Sequence, residues 1–355
     1  MKALYFILSH ANPGQVVRLV RTLKQGSPTC SVLIHHDYSQ SYLDPNDFSA
    51  IADVNIVSDY VQVEWGDFSL TRAILRSFDW ALDHLEFDWL VFLSGQDYPI
   101  KPLATIETFL GGCGYDALLR GFLATQPNSW PDGEAVRRYF YRYYKVPRFK
   151  YYYRLPSTLR AWLRRAKAGI NQKQSLVRIG PSTRGIPIRI GFSFFRSPFD
   201  DQFQCYGGPT WFDASRRCVE YIRDFVAANP SYVAWYERTF LADESFMATI
   251  LLNQPRFNIL LDNKRYVNWN PAEPGAGSPR VIRSSDLDAV LKSDAHFARK
   301  FDVELDSRAL DLIDERIGVC AAATDSKTCA EYRAFDGLSA DAGPSDATHH
   351  RSRVV

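Results

Sequence analysis

The sequence predicts an α/β protein: a parallel-dominated sheet with helices on both faces. Three features of its N-terminal third carry that prediction. Short, β-prone apolar runs recur at residues 4–8, 32–35 and 89–93; helix-spaced apolar residues fill 13–24 and 69–85; and the two patterns alternate rather than segregate. Trp89-Leu90-Val91-Phe92-Leu93 is apolar without interruption, as a strand buried on both faces requires.

The elements follow in order. Residues 4–8 are the first strand. Asn12-Pro13 then starts a helix, since Asn can cap free N–H groups and Pro suits a first turn whose N–H groups lack partners. Val16, Val17, Leu19, Val20 and Leu23 share one face of it. Residues 32–35 make a second strand leading to Asp37, and a shorter one is expected around 54–57. Leu70, Ile74, Phe78, Ala81 and Leu85 mark a helix over 69–85, and the Trp89 strand follows. A helical piece at 159–168 lies in a stretch broken by Pro147, Pro156, Pro181 and Pro187, which reads as an insertion over the sheet at about 120–190. Regular structure resumes with Trp211 on a strand and helices over 214–227 and 243–252. After Gly318 the composition collapses to Ala, Ser, Asp, Gly and Thr, so 318–355 is expected to be a mobile, low-complexity tail on a single domain spanning 1–317.

With 355 residues, 46% hydrophobic and 23% charged, the chain is of soluble globular type and long enough for a large core. No run approaches the length of a membrane-spanning helix. The opening residues lack a signal peptide's layout and read as the start of the fold. Six cysteines are scattered without a C-x-x-C pair, which excludes a zinc knuckle or thioredoxin-like motif. Free thiols are expected, although Cys320 and Cys329 are close enough to pair in an oxidising compartment. The net charge of +2 conceals fifteen Lys and Arg between Arg137 and Arg189, with no acid from Ala135 to Phe199. That segment, rich in Tyr, calls for an anionic partner or counter-surface.

In an open α/β sheet the ligand crevice lies beyond the carboxyl ends of the strands, which puts Ser94-Gly95-Gln96-Asp97-Tyr98-Pro99 at the centre of interest. By itself this is also an ordinary strand exit, with Asp97 capping a turn and Pro99 stopping the sheet. Four more segments accompany it: Ile34-His35-His36-Asp37, Val63-Glu64-Trp65-Gly66, Ala242-Asp243-Glu244-Ser245-Phe246 and Phe297-Ala298-Arg299-Lys300-Phe301-Asp302. Together, over about residues 1–314 and most weakly over 120–190, they resemble the core-2/I-branching glycosyltransferase family. That family includes β-1,6-N-acetylglucosaminyltransferases and, more distantly, protein xylosyltransferases.

The resemblance implies a GT-A fold, a Rossmann-like mixed sheet. It implies inverting, metal-independent transfer of a sugar, GlcNAc ahead of xylose, from a UDP-sugar substrate to a hydroxyl of a glycan or lipid-linked glycan. The family's catalytic carboxylate aligns with Glu244. Its alternative reading is an acid favoured by the dipole of a helix's first turn, and Asp243 is expected to cap that helix. Burial against Phe246 and Trp211 would raise the pKa of Glu244 toward a general base's range. Arg299 and Lys300 match the basic motif that holds the diphosphate, the alternative being a solvated face, and Arg280 is an additional clamp. Many GT-A enzymes bind a divalent ion through Asp-x-Asp after a central strand; here that place holds Asp97 alone, and Asp286-Leu287-Asp288 is better explained as capping after Ser285. No cofactor or metal is therefore expected. Asp37 and His10 meet the uridine, and Trp65 and Gly66 line the same pocket, Trp65 suiting the core nearly as well. Asp97, with Ser94 on its turn, orients the sugar or the acceptor hydroxyl. Gly207-Gly208-Pro209-Thr210-Trp211 departs from the family's Gly-Ser-Gln-Trp or Gly-Ser-Ala-Tyr on the acceptor side.

Animal relatives carry an anchor and a stem. Their absence here suggests a bacterial, cytoplasmic protein, with peripheral contact at the inner face of the membrane through 137–189. The basic segment's partner is then an acidic or phosphorylated glycan, a lipid-linked acceptor on an anionic membrane, or the acidic remainder of the chain. A different class of reading makes the chain a nucleic-acid or anionic-glycan binder without catalysis. No RNP, KH or zinc-finger pattern accompanies the segment, so nucleic acid is not expected.

Overall fold

The computed structural model describes residues 1–146, 155–173, 175–180, 188–269 and 278–319. The expected tail beyond 319, Cys320, Cys329, and several cations and tyrosines of the basic segment lie outside these residues. The elements are β1 (Ala3–Ser9), α1 (Pro13–Gly26), β2 (Ser31–His36), β3 (Val54–Ile56), α2 (Ser69–His84), β4 (Trp89–Ser94), β5 (Asp97–Pro99), α3 (Leu103–Gly112), β6 (Ala117–Leu118) and β7 (Phe122–Leu123). They continue with α4 (Glu134–Tyr139), β8 (Arg142–Lys145), α5 (Ser157–Lys173), β9 (Val177–Ile179), β10 (Arg189–Phe192), β11 (Tyr206–Gly207), β12 (Asp213–Ser215), α6 (Arg216–Ala228) and α7 (Pro230–Tyr236). The last are α8 (Phe246–Leu252), β13 (Ile259–Leu260), β14 (Arg265–Val267), α9 (Leu287–Lys292), β15 (Phe297–Arg299) and α10 (Val303–Arg316).

Seven strands form the central sheet in the order β13-β6-β12-β4-β1-β2-β3. β4, β1, β2 and β3 run parallel, whereas β12 is antiparallel to both β4 and β6. This is the mixed, helix-flanked α/β sheet that the sequence predicts. Alternation along the central strands sorts side chains to two cores. Tyr5, Ile7, Val91 and Leu93 join α1, α3 and α10 on one face, while Leu4, Phe6, Leu90 and Phe92 join α2, α6 and α8 on the other. Four described cysteines are free, and Cys30, Cys205 and Cys218 are buried as small apolar residues.

Several local expectations are corrected. Asn12 sits at the start of α1 in a left-handed conformation and makes no side-chain cap; its amide donates instead to Asp302 at 3.3 Å. Trp211 precedes the strand rather than lying on it, because pairing with β4 begins at Asp213. The predicted helix over 243–252 is two pieces, a 3-10 turn at Ala242–Glu244 and α8, separated at Ser245. Asp243 therefore caps no helix.

A buried ion pair ties the antiparallel part of the sheet to the small sheet β14-β15-β5. Arg265 and Asp213, both with fully buried side chains, meet twice, at 2.5 and 3.0 Å. The guanidinium also donates to the carbonyls of Phe92 and Asn263 and lies over the Phe297 ring. Such a pair orients its strands more than it stabilises them, since burial of both charges offsets most of their attraction.

The basic segment is an elaborated insertion. Strands β8, β10 and β9 make a three-stranded antiparallel sheet, and α5 is longer at both ends than the predicted helix. Trp235 of α7 donates to the carbonyl of Tyr139. Part of the segment's charge is met by the chain's own acids: Lys145 contacts Glu64 and Asp67 at 2.7 and 2.9 Å, and Arg189 lies 3.3 Å from Asp67. Arg137 and Arg138 pair with Glu134. Among the described residues, no helix is long and apolar enough to cross a membrane.

Candidate active site

The crevice forms where β1, β2 and β4 end. Backbone bonds from Asp37 N to Ser9 O at 2.9 Å and from Gly95 N to Leu8 O at 3.0 Å hold the three exits side by side. Gln15 of α1 donates to the carbonyls of Gly95 and Phe301, fastening the 94–97 turn to the chain leaving β15.

Asp97 is wholly buried and its carboxylate is fully engaged. Ser94 donates to it through its N–H (3.0 Å) and hydroxyl (2.8 Å), and Arg299 Nε lies 3.4 Å away. Asp97 thus organises the turn and places Arg299, rather than facing the crevice. Arg299 is in turn covered by Trp211, whose ring centroid is 4.1 Å from the guanidinium carbon. The expectation that Arg299 and Lys300 act together is not met, since the Arg299 side chain is buried beside Asp97. Lys300 extends instead to Ser278 Oγ at 3.2 Å, and the Arg280 guanidinium meets Asp286 at 3.1 Å. The first carboxylate of the Asp286-Leu287-Asp288 string is thereby used as a cap and as a partner for Arg280.

Asp37 is also enclosed, accepting from Ser39 N–H and hydroxyl and from Val63 N–H at 2.9 Å. It anchors the loop leading to Trp65. Trp65 is 54% exposed and touches Phe240 edge-on, so it is not a core residue. Gly66 has φ +73°, and a Cβ there would lie 2.5 Å from the Phe240 ring. Its carbonyl accepts from Leu241 N–H and from Arg189. Through Gly66 the Trp65 loop supports the turn that carries Asp243 and Glu244. His10 is exposed, with its carbonyl taking a bond from Ser41.

Glu244 occupies the 3-10 turn, its side chain 28% exposed and ion-paired with Arg138. Burial, and next the neighbouring Asp243 charge, raise its pKa to about 7, against the pull of Arg138. Asp243 is also raised, chiefly by burial; Thr210 donates to its Oδ2 at 2.7 Å while Oδ1 has no partner. The departing segment 207–211 is what joins these parts. Gly208 N–H donates to the Glu244 carbonyl at 2.8 Å, Thr210 holds Asp243, and Trp211 covers Arg299. A Cβ on Gly208 would lie 2.0 Å from the Arg120 carbonyl oxygen, so no other residue fits. Sequence reasoning missed Arg138, Thr210 and Gly208; only the paired glycines signalled a close backbone approach.

The Glu244 turn and the end of β15 are thus joined by one short segment, through Asp243 and Arg299. No three His, Cys, Asp or Glu side chains gather as metal ligands among the described residues.

A search of solved structures finds partial likenesses to S. aureus TarS 1-349 (15% identity, TM-score 0.25, 41% of this chain and 42% of that one) and to HddC from Yersinia pseudotuberculosis (13%, 0.23, 34% and 58%). The chain thus spans less than two thirds of either. No curated protein matches. The model of the Core-2/I-Branching enzyme family matches residues 3–117 and 178–291, covering β1 to β4, the Glu244 turn and Arg280. A match over well more than half of the chain makes it a member of the Core-2/I-Branching enzyme family.

Proposed function

We propose that the protein is an inverting, metal-independent transferase that moves a sugar, GlcNAc first among candidates and xylose behind it, from a UDP-sugar to a hydroxyl of a glycan acceptor. The observation that carries this reading is the 207–211 segment, which ties the turn carrying Glu244 to Arg299, the residue before Lys300. Glu244 takes the proton of the acceptor hydroxyl as its oxygen attacks the anomeric carbon. The bond from that carbon to the diphosphate breaks, its electron pair leaves with UDP, and Lys300 and Arg280 meet the charge that develops. Trp65 and His10, at the open end beside Asp37, line the uridine side.

Metal independence rests on Asp97. Both its oxygens are engaged inside the turn, so the position from which a metal-binding carboxylate would reach the diphosphate is already spent on Ser94 and Arg299. A lipid-linked acceptor at the inner face of an anionic membrane fits α5, where Arg164 and Arg165 are exposed beside Trp162, 62% exposed. UDP release over a panel of UDP-sugars, with and without chelator, tests the reading: release only upon addition of a divalent ion, or from no UDP-sugar, overturns it.

A further inference from the structure

The family model leaves out residues 118–177. Within that stretch lies the one side chain that, among the described residues, binds the Glu244 carboxylate in ion-pair contact, Arg138 of α4. Three partners hold the Arg138 guanidinium. It lies 4.2 Å over the Trp130 ring, its Nε donates to Glu134 Oε1 at 2.9 Å, and its Nη1 donates to Glu244. The arginine is 17% exposed, so its charge is felt with little screening by water. Glu134 is itself shared, since Arg137 reaches its other oxygen at 3.1 Å.

We propose that Arg138 is the positioning residue of the transfer: it fixes the Glu244 carboxylate toward the acceptor, and Glu134 keeps the guanidinium in place when Glu244 gains the acceptor's proton. The inference rests on the reading of Glu244 as the base. Its physical content is a division of one positive charge between two carboxylates. An arginine given wholly to Glu244 would hold it as a weak base. With no arginine, the carboxylate beside Asp243 would hold its proton too tightly and lose its fixed direction. Glu134 takes part of the guanidinium's hydrogen-bonding capacity, and stays ionised to compensate Arg138 once Glu244 is neutral. The charged and titratable groups around Glu244 are Asp243 on its own turn and Arg138, Glu134 and Tyr139 on α4. This chain therefore supplies from its own insertion the group that sets its base.

The test reads Glu244 directly, without donor or acceptor. The full-length protein, labelled with 13C at glutamate carboxyls, is titrated by NMR, with Glu244→Gln identifying the signal. Arg138→Met should move the Glu244 midpoint upward by about one pH unit or more, Glu134→Gln should move it downward, and Arg138→Lys should restore most of the first shift. Recovery of the midpoint by Arg138→Lys separates the effect of the charge from that of a disturbed fold. If Arg138→Met does not fold, the downward shift in Glu134→Gln together with a near-native midpoint in Arg138→Lys upholds the proposal. An unchanged midpoint in Glu134→Gln, or shifts of one sign in both, overturns it. Because no substrate is present, this result is independent of whether any donor is turned over.

Discussion

Glu244 and Asp97 both sit in short turns after buried segments, yet the fold gives them opposite tasks. Asp97 receives two hydrogen bonds and a guanidinium and has no surface left, whereas Glu244 keeps an exposed edge and one partner. Only the second can take a proton from an incoming hydroxyl. Glu244→Gln should slow transfer by about 10²- to 10⁴-fold, with donor affinity by calorimetry nearly unchanged, because the amide keeps the shape without the basicity. As Glu244 must be ionised to act, the rate should fall as pH drops below a midpoint near 7, the value to which burial and Asp243 raise it. A flat profile between pH 5 and 8 would place the base elsewhere, at Asp243 next. Lys300→Ala should weaken UDP binding and slow transfer together, while Arg299→Ala, which strips Asp97 and Trp211 of their partner, should show as lost stability in thermal unfolding.

At the level of elements, the parallel half of the sheet was legible because continuous apolar runs and 3.6-residue spacing are strong signals: β1, α1, β2, α2 and β4 fall within two residues of the predicted bounds. The turn at Ala242–Glu244 was not, since a 3-10 turn and an α-helix begin with the same acidic, small-residue pattern and differ by the break at Ser245 that tertiary contacts impose. The places of Asp37 and Asp97 just after β2 and β4 were legible, but whether a carboxylate faces outward or into its turn depends on long-range partners such as Val63 and Arg299 that periodicity does not reveal. The basic segment divides in the same way. Arg137, Arg138, Lys145 and Arg189 pair with the chain's own acids, while Arg164 and Arg165 of α5 are exposed and are candidates for an anionic surface. Replacing Arg160, Arg164 and Arg165 by Glu should release the protein from vesicles rich in anionic lipid or raise the acceptor KM, leaving UDP binding intact. If neither changes in that triple variant, α5 is structural.

Across the whole molecule, the parallel strands β4, β1 and β2 end side by side, the antiparallel β12 returns the chain alongside β4, and 207–211 joins the Glu244 turn to Arg299. The buried Arg265–Asp213 pair holds that return in register, and Asp213→Ala should cost about 3–5 kcal/mol in denaturant unfolding because it leaves a guanidinium buried without its partner. Glu244 is proposed to work as a base without a metal. Its most direct test is acceptor-dependent UDP release from UDP-GlcNAc in excess EDTA, measured across pH for the parent protein and Glu244→Gln side by side. The parent should release UDP undiminished by the chelator, with an acid limb near pH 7, and the variant should fall by about 10²-fold or more; equal rates in the two proteins, or activity recovered only with Mn²⁺, would contradict it.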